Sequence, residues 1–253
     1  MSSPTRILFL SGEVTPFTQA SALSDLTRDL AEPLQDVQGL DARLMIPCYG
    51  FISERKHRLH DVIRLSGTEV PMGTGTEEVN VKVASLPDTR MQTYFMDHAV
   101  YFNRDGVAHT NDGTAFDDNA TRAAFFNRAV LETLRTLRWR PDVIHAFGWM
   151  GGLAPLLMST AYAGDDLLEG IPVVFTPDVD AAPDPLANVP KTLHAKDQED
   201  TLSLNEAGRR WADAVVHAPT DVPEGEMAFL DASEDRVDQL LSLYSSLLDE
   251  VPA

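Results

Sequence analysis

The sequence predicts an α/β domain of the Rossmann-like kind, a mostly parallel sheet with helices on both faces. Three observations carry this. Short, continuous apolar runs recur at Arg6–Leu10, Ala42–Ile46, Asp142–Ala146, Pro172–Thr176 and Ala214–His217, as strands buried on both faces read. Segments with helical spacing lie between several of them, so strands and helices alternate as βαβ units do. No fixed-period repeat interrupts the pattern, which sets aside solenoids and propellers.

The elements follow in order. Arg6–Leu10 opens the chain as a strand, and Ser21 to Val37 follows as a helix, with Leu23, Leu26, Leu30 and Leu34 on one stripe. Ser21 or Ser24 can cap it. Ala42–Ile46 is the next strand, closed by Pro47 and Gly50. Val79 to Ala84 alternates apolar and polar residues, and Gln92 to Met96 is strand-like; with the Gly73 to Gly75 turn they suggest a hairpin region. A long helix runs from about Asp118 to Arg138 and stops before Pro141. The strand Asp142–Ala146, a helix Leu153 to Tyr162 and the strand Pro172–Thr176 come next. Residues 177–200 hold four prolines and five aspartates with little periodicity, and read as a long surface loop. Helix returns at Leu202 to Trp211, strand at Ala214–His217, and a last amphipathic helix spans 235–251. Val237, Leu240, Leu241, Tyr244, Leu247, Leu248 and Val251 form its apolar face. The plainer reading packs that face on the domain's own flank, and the sharper one makes it a partner or dimer interface. The expected organisation is one domain over 1–253.

Composition narrows the function. The 253 residues carry 39 acidic against 20 basic side chains, a formal charge of −19. Such a surface repels polyanions, so nucleic acid is excluded as a partner. Asp outnumbers Glu by 25 to 14 and Arg outnumbers Lys by 16 to 4; adaptation to high internal salt and codon bias from a GC-rich genome both account for that, and both stay open. Cys48 is the only cysteine, so neither an intramolecular disulfide nor a thiolate metal cluster within one chain is expected. The N-terminal apolar run, Ile7 to Leu10, is too short for a signal peptide or a membrane span, and the expected location is the cytoplasm, with no membrane partner. His57, His60, His194 and His217 lack metal-ligand spacing, and no P-loop or G-x-G-x-x-G occurs. No metal and no cofactor are expected. Arg55-Lys56-His57-Arg58-Leu59-His60 is the one basic cluster: an anion or acidic partner could dock there, or it is a solvated segment that balances nearby carboxylates.

In a parallel sheet ligands collect beyond the carboxyl ends of the strands. After the first strand stands Ser11-Gly-Glu-Val-Thr-Pro-Phe-Thr-Gln-Ala-Ser-Ala-Leu-Ser-Asp25. Ser11, Glu13, Val14, Pro16, Phe17, Leu23 and Asp25 match, in register, the pattern S-S-E-V-A-P-F-A-K-T-G-G-L-G-D. Ile46-Pro47, Tyr49-Gly50, Asp118-Asn119, the Arg122 to Phe126 region, Trp139 to Ala146, Trp149, Leu153 to Leu156, Phe175-Thr176 and Ala212-Asp213 extend the match over roughly residues 5 to 220. On these residues the chain resembles the glycogen and starch synthases, which transfer glucose from ADP-glucose to a growing α-1,4-glucan. It is similar in particular to short bacterial glycogen/starch synthase-like proteins, which share His60 to Gly67 and Val83-Ala84-Ser85. The resemblance implies the N-terminal half of a GT-B glycosyltransferase, with α-glucan or a sugar nucleotide as ligand and a homodimer or a partner synthase as partner.

The departures from that pattern bear on chemistry. The family's K-T-G-G loop brings a lysine and bare amides to the donor's phosphates, as a diphosphate leaving group requires. Gln19 stands at the lysine's position, and Ser21 and Ala22 at the glycines'. H-A-H-D-W becomes His145-Ala146-Phe147-Gly148-Trp149, and F-T-I-H-N becomes Phe175-Thr176-Pro177-Asp178-Val179. Only about 30 residues follow Pro219, too few for the second Rossmann-like domain that supplies most of the nucleotide site in the family. The expectation is a degenerate, stand-alone domain with a binding or regulatory role and no catalytic residue of its own; the alternative is an active glucosyltransferase completed by a second subunit. Tyr101, followed by Gly106, matches a family tyrosine near the donor. The expected vestigial cleft is Glu13, Gln19, Tyr101, His145, Trp149 and Asp178. Structural roles compete for three of these: His145 as a hydrogen-bonded core residue, Trp149 as core or cleft wall, and Glu13 as the cap of a backbone amide.

Overall fold

The apolar run at the start of the chain becomes the central strand of the sheet. In the computed structural model, which describes residues 3–178, 202–218, 226–229 and 233–250, β1 (Thr5–Ser11) lies between β2 (Leu40–Pro47) and β7 (Val143–Phe147), parallel to both. Ile7, Leu8, Phe9 and Leu10 are wholly buried, because a central strand covered on both faces has no solvent side to alternate with. The other strands are β3 (His60–Asp61), β4 (Thr68–Met72), β5 (Gly75–Ser85), β6 (Gln92–Asp97), β8 (Val173–Thr176), β9 (Ala214–His217) and β10 (Met227–Ala228). Their order is β10-β9-β8-β7-β1-β2-β6-β5-β3, with β4 paired to β5. From β10 to β6 every pairing is parallel, while β3, β4 and β5 pair antiparallel. The expected hairpin region is therefore the antiparallel edge of a parallel sheet.

The helices are α1 (Ala22–Leu34), α2 (Glu54–His57), α3 (Asn119–Leu137), α4 (Gly148–Gly151), α5 (Ala154–Ser159), α6 (Leu204–Trp211) and α7 (Ser233–Glu250). Ser21 caps α1 as a capping box: its hydroxyl accepts from the Ser24 amide at 3.0 Å, and the Ser24 hydroxyl accepts from the Ser21 amide at 2.8 Å. A cap of this kind contributes about 1 kcal/mol. The step from β1 to β2 runs one way along the sheet, whereas β6 to β7, β7 to β8 and β8 to β9 run the other way. Right-handed crossovers of opposite direction place α1 on one face and α3, α4, α5 and α6 on the other. Packing agrees, since α1 meets α7, while α4 and α5 each meet α3 and α6.

One expectation changes and one open choice narrows. The predicted helix from Leu153 to Tyr162 is the shorter α5, and a separate single-turn helix, α4, precedes it. Gly148 takes φ +61, so α4 starts directly at the end of β7, and Gly151 and Gly152 interrupt the turn before α5 begins. On α7, Leu240, Tyr244 and Leu247 are buried within the domain and α7 packs on α1, so the apolar face is an internal one. Each such side chain contributes roughly 1.5–3 kcal/mol. Past Asp178, the predicted loop over 177–200 lies outside the described residues, as do His194 and Val251. Among the described residues, no helix is long and apolar enough to cross a membrane.

Candidate functional site

The reversal of strand order between β1 and β7 is a topological switch point, and the crevice beyond it is where open α/β sheets bind ligands. A cleft of about 520 Å³ opens there. Glu13 and the turn from Gln19 to Leu23 line it after β1, Phe51 after β2, Trp149 after β7 and Asp178 after β8, with residues 105–111 as the opposite wall. Four of the six residues expected from the sequence, Glu13, Gln19, Trp149 and Asp178, thus share one cleft.

Glu13 is held from two sides. The Ser11 hydroxyl donates to its carbonyl at 2.7 Å, and the Ser21 hydroxyl donates to its carboxylate Oε2 at 2.7 Å. Ser21 therefore serves the helix cap and the acid together, and among the described residues the Glu13 side chain caps no amide. Burial raises the Glu13 carboxyl above the usual carboxylate range; the Ser21 hydrogen bond opposes the rise and the charge of Asp178 adds to it. Gln19 is exposed at the rim, and its carbonyl accepts from the Ser24 hydroxyl at 3.1 Å. Trp149 is only 6% exposed and acts as wall. Asp178 is tied through its main chain to Asn205 of α6, whose side-chain Oδ1 accepts from the Asp178 amide at 3.2 Å while Nδ2 donates to its carbonyl at 2.8 Å.

The other two expected residues lie elsewhere. His145 is fully buried on the face of β7 that α7 covers, with Nδ1 2.7 Å from the Tyr244 hydroxyl and Nε2 2.8 Å from Thr176 Oγ1. Phe147 stacks on it at 4.2 Å between ring centres. Burial holds the imidazole pKa down to about 3, so the ring is neutral. The Tyr101 ring packs on His98 and Phe125 at 4.6 and 4.8 Å, behind the wall instead of in it. Gly106 does line the cleft, and a Cβ there would collide with the carbonyl of His109.

Sequence reasoning missed the wall itself, residues 105–111 with Asp105, His109, Thr110 and Asn111. No periodicity marks it, because side chains of α3 hold its backbone. Arg122, wholly buried, donates through Nε to the Tyr101 carbonyl at 2.7 Å and through Nη1 to the Val107 carbonyl at 2.6 Å and Asn119 Oδ1 at 2.7 Å. Asn119 Nδ2 donates to the Ala108 carbonyl at 2.9 Å. Asp118 forgoes capping α3 and takes Arg104 in a two-point ion pair at 2.7 and 2.6 Å. In the sequence the wall's signal is the matched positions Asp118, Asn119 and Arg122.

The chemistry of the lining is one-sided. Glu13, Asp105 and Asp178 are carboxylates, and no Lys or Arg occurs among the described lining residues. The basic cluster forms α2 and its flank, with Arg55, Lys56 and Arg58 exposed and the His57 ring against Phe17 at 4.9 Å. It lies outside the lining. Among the described residues no group of His, Cys, Asp and Glu could hold a metal ion.

A family model described as the starch synthase catalytic domain matches residues 6–177. A glycogen synthase from Chlorobium limicola is 43% identical over 172 residues, which are 68% of this chain and 35% of that protein. Those from Chlorobium luteolum and Chlorobaculum tepidum are 44% and 41% identical over the same shares. The chain thus spans about a third of the length of these relatives. The catalytic domain of Starch Synthase IV from Arabidopsis thaliana, solved bound to ADP and acarbose, superposes with a TM-score of 0.71 at 17% identity, over 96% of this chain and 50% of that one. That likeness is one of fold, a GT-B catalytic domain whose half this sheet reproduces.

Proposed function

Since the chain belongs to the starch synthase catalytic domain family, we propose that it works in α-glucan metabolism as a glucan-binding or regulatory domain, in the cytoplasm, without transferase chemistry of its own. One observation carries the reading: the cleft presents Glu13, Asp105 and Asp178 and, among its described lining residues, no Lys or Arg. A sugar nucleotide brings a diphosphate whose charge grows as it leaves, and a site that accepts it needs fixed positive charge. An acidic cleft opposes that ligand. A neutral oligosaccharide meets different needs, because carboxylates accept hydrogen bonds from hydroxyls and an apolar wall such as Trp149 covers a sugar face. Ser21 supports the same reading, since its hydroxyl is spent on the α1 cap and on Glu13 where the family has a bare glycine.

The test uses purified protein in two arms. Glucose incorporation into glycogen from ADP-glucose is expected to equal that of a heat-killed control; turnover above the control overturns the non-catalytic reading and favours a transferase completed by another subunit, which native mass with a candidate partner synthase then identifies. Maltoheptaose titrated calorimetrically is expected to bind, and no heat at millimolar ligand removes the glucan.

A further inference from the structure

The position of Asp178 is built by residues outside the matched cleft pattern. β8 ends at Thr176, and two residues later no strand pairing holds the chain. Asn205, the second residue of α6, takes over. Its single amide group accepts from the Asp178 N–H and donates to the Asp178 carbonyl, a two-way exchange that needs a donor and an acceptor on one short branch. The base of this clamp is firm: Leu204 beside it is fully buried, and Ser203 and Glu206 close a capping box around the start of α6.

Room for the Asp178 side chain comes from the end of β7. A Cβ on Gly148 would stand 3.3 Å from Asp178 Cβ and 2.5 Å from Leu23 Cδ2. A hydrogen at that point lets the side chain of residue 178 fill the space. Across the cleft, Ser21 fixes one oxygen of Glu13, and the two carboxylates interact electrostatically.

We propose that Asn205 is a positioning residue of the cleft: it clamps the main chain of Asp178 in the space left by Gly148, and so sets the Asp178 carboxylate facing Glu13 as a pair of acceptors for the hydroxyls of a sugar. The ligand half of this statement rests on the glucan reading above; the clamp does not.

The experiment follows the Glu13 carboxyl by carbon-detected NMR across pH in the full chain. Asp178→Asn removes the facing charge, so the Glu13 midpoint must move down. Asn205→Ala and Asn205→Leu must move it the same way, the leucine variant keeping side-chain volume if the smaller residue unsettles α6. The double variant Asp178→Asn with Asn205→Leu must shift it no further than Asp178→Asn alone, as coupled residues require. A Glu13 midpoint that stays at the native value in both Asn205 variants overturns the clamp. With maltoheptaose as probe, Asn205→Leu is expected to weaken binding about 10-fold, the scale of one hydrogen bond to a charged group. Shifted midpoints in a protein that never binds maltoheptaose would uphold the clamp and discard the glucan.

Discussion

Acidification should strike this fold through His145. Its ring is buried with both nitrogens engaged, and burial holds its pKa down from 6.5 to about 3. The unfolded chain takes up a proton below about pH 6.5 that the folded chain refuses until near pH 3, so stability falls as pH drops through that window. At about 1.4 kcal/mol per unit, the loss at pH 4.5 is about 3 kcal/mol. That is a large part of the stability of a typical domain. His145→Gln keeps a donor and an acceptor for Tyr244 and Thr176 but cannot titrate. Urea unfolding of both proteins at pH 7.0 and pH 4.5 gives the comparison, in which carboxylates common to both cancel. The native protein should lose about 3 kcal/mol more than the variant between the two pH values. Equal losses would refute the assignment of a neutral, proton-refusing imidazole at the base of α7.

Arg122→Met should cost about 3 kcal/mol, since it takes two charged hydrogen bonds from the carbonyls of Tyr101 and Val107; amide exchange over residues 101–108 should accelerate beyond the rest of the domain, and uniform acceleration would count against a local staple. Ser21→Ala should lower stability by about 1 kcal/mol through the lost cap and raise the Glu13 carboxyl further, because the Ser21 hydrogen bond is what holds it down; a Glu13 titration that stays put, read by NMR, would mean the hydroxyl does not serve the acid.

The parts legible in the sequence are those written in short range. β1, β2 and β7 announce themselves as apolar runs, and Glu13, Trp149 and Asp178 follow directly on strand ends, with Gln19 in the turn before α1, where the switch-point rule places ligands. His145 belongs to β7 itself, and strand alternation turns it to the α7 face instead of to the cleft. The wall at 105–111 depends on bonds that reach 15 residues from Arg122 to Val107 and 11 from Asn119 to Ala108. Side chains that bond to distant backbone leave no periodic trace, so neither that wall nor the Asn205 clamp, 27 residues from Asp178, shows in a pattern. α4 leaves no periodic trace, because a single turn of four residues, two of them glycine, is too short to show one.

The central place of β1 sets a timetable for synthesis. Arg6 donates its amide to Asp142, 136 residues further on, where β7 begins to pair along the other side of β1. At roughly 5–20 residues per second, β1 waits on the order of ten seconds for β7, holding an apolar edge open meanwhile. The cleft waits longer still, because its floor needs β7 and then Asp178 after β8. The cleft thus cannot form before β8 has been made, and the interval before β7 arrives is when β1 is most in need of protection from other chains.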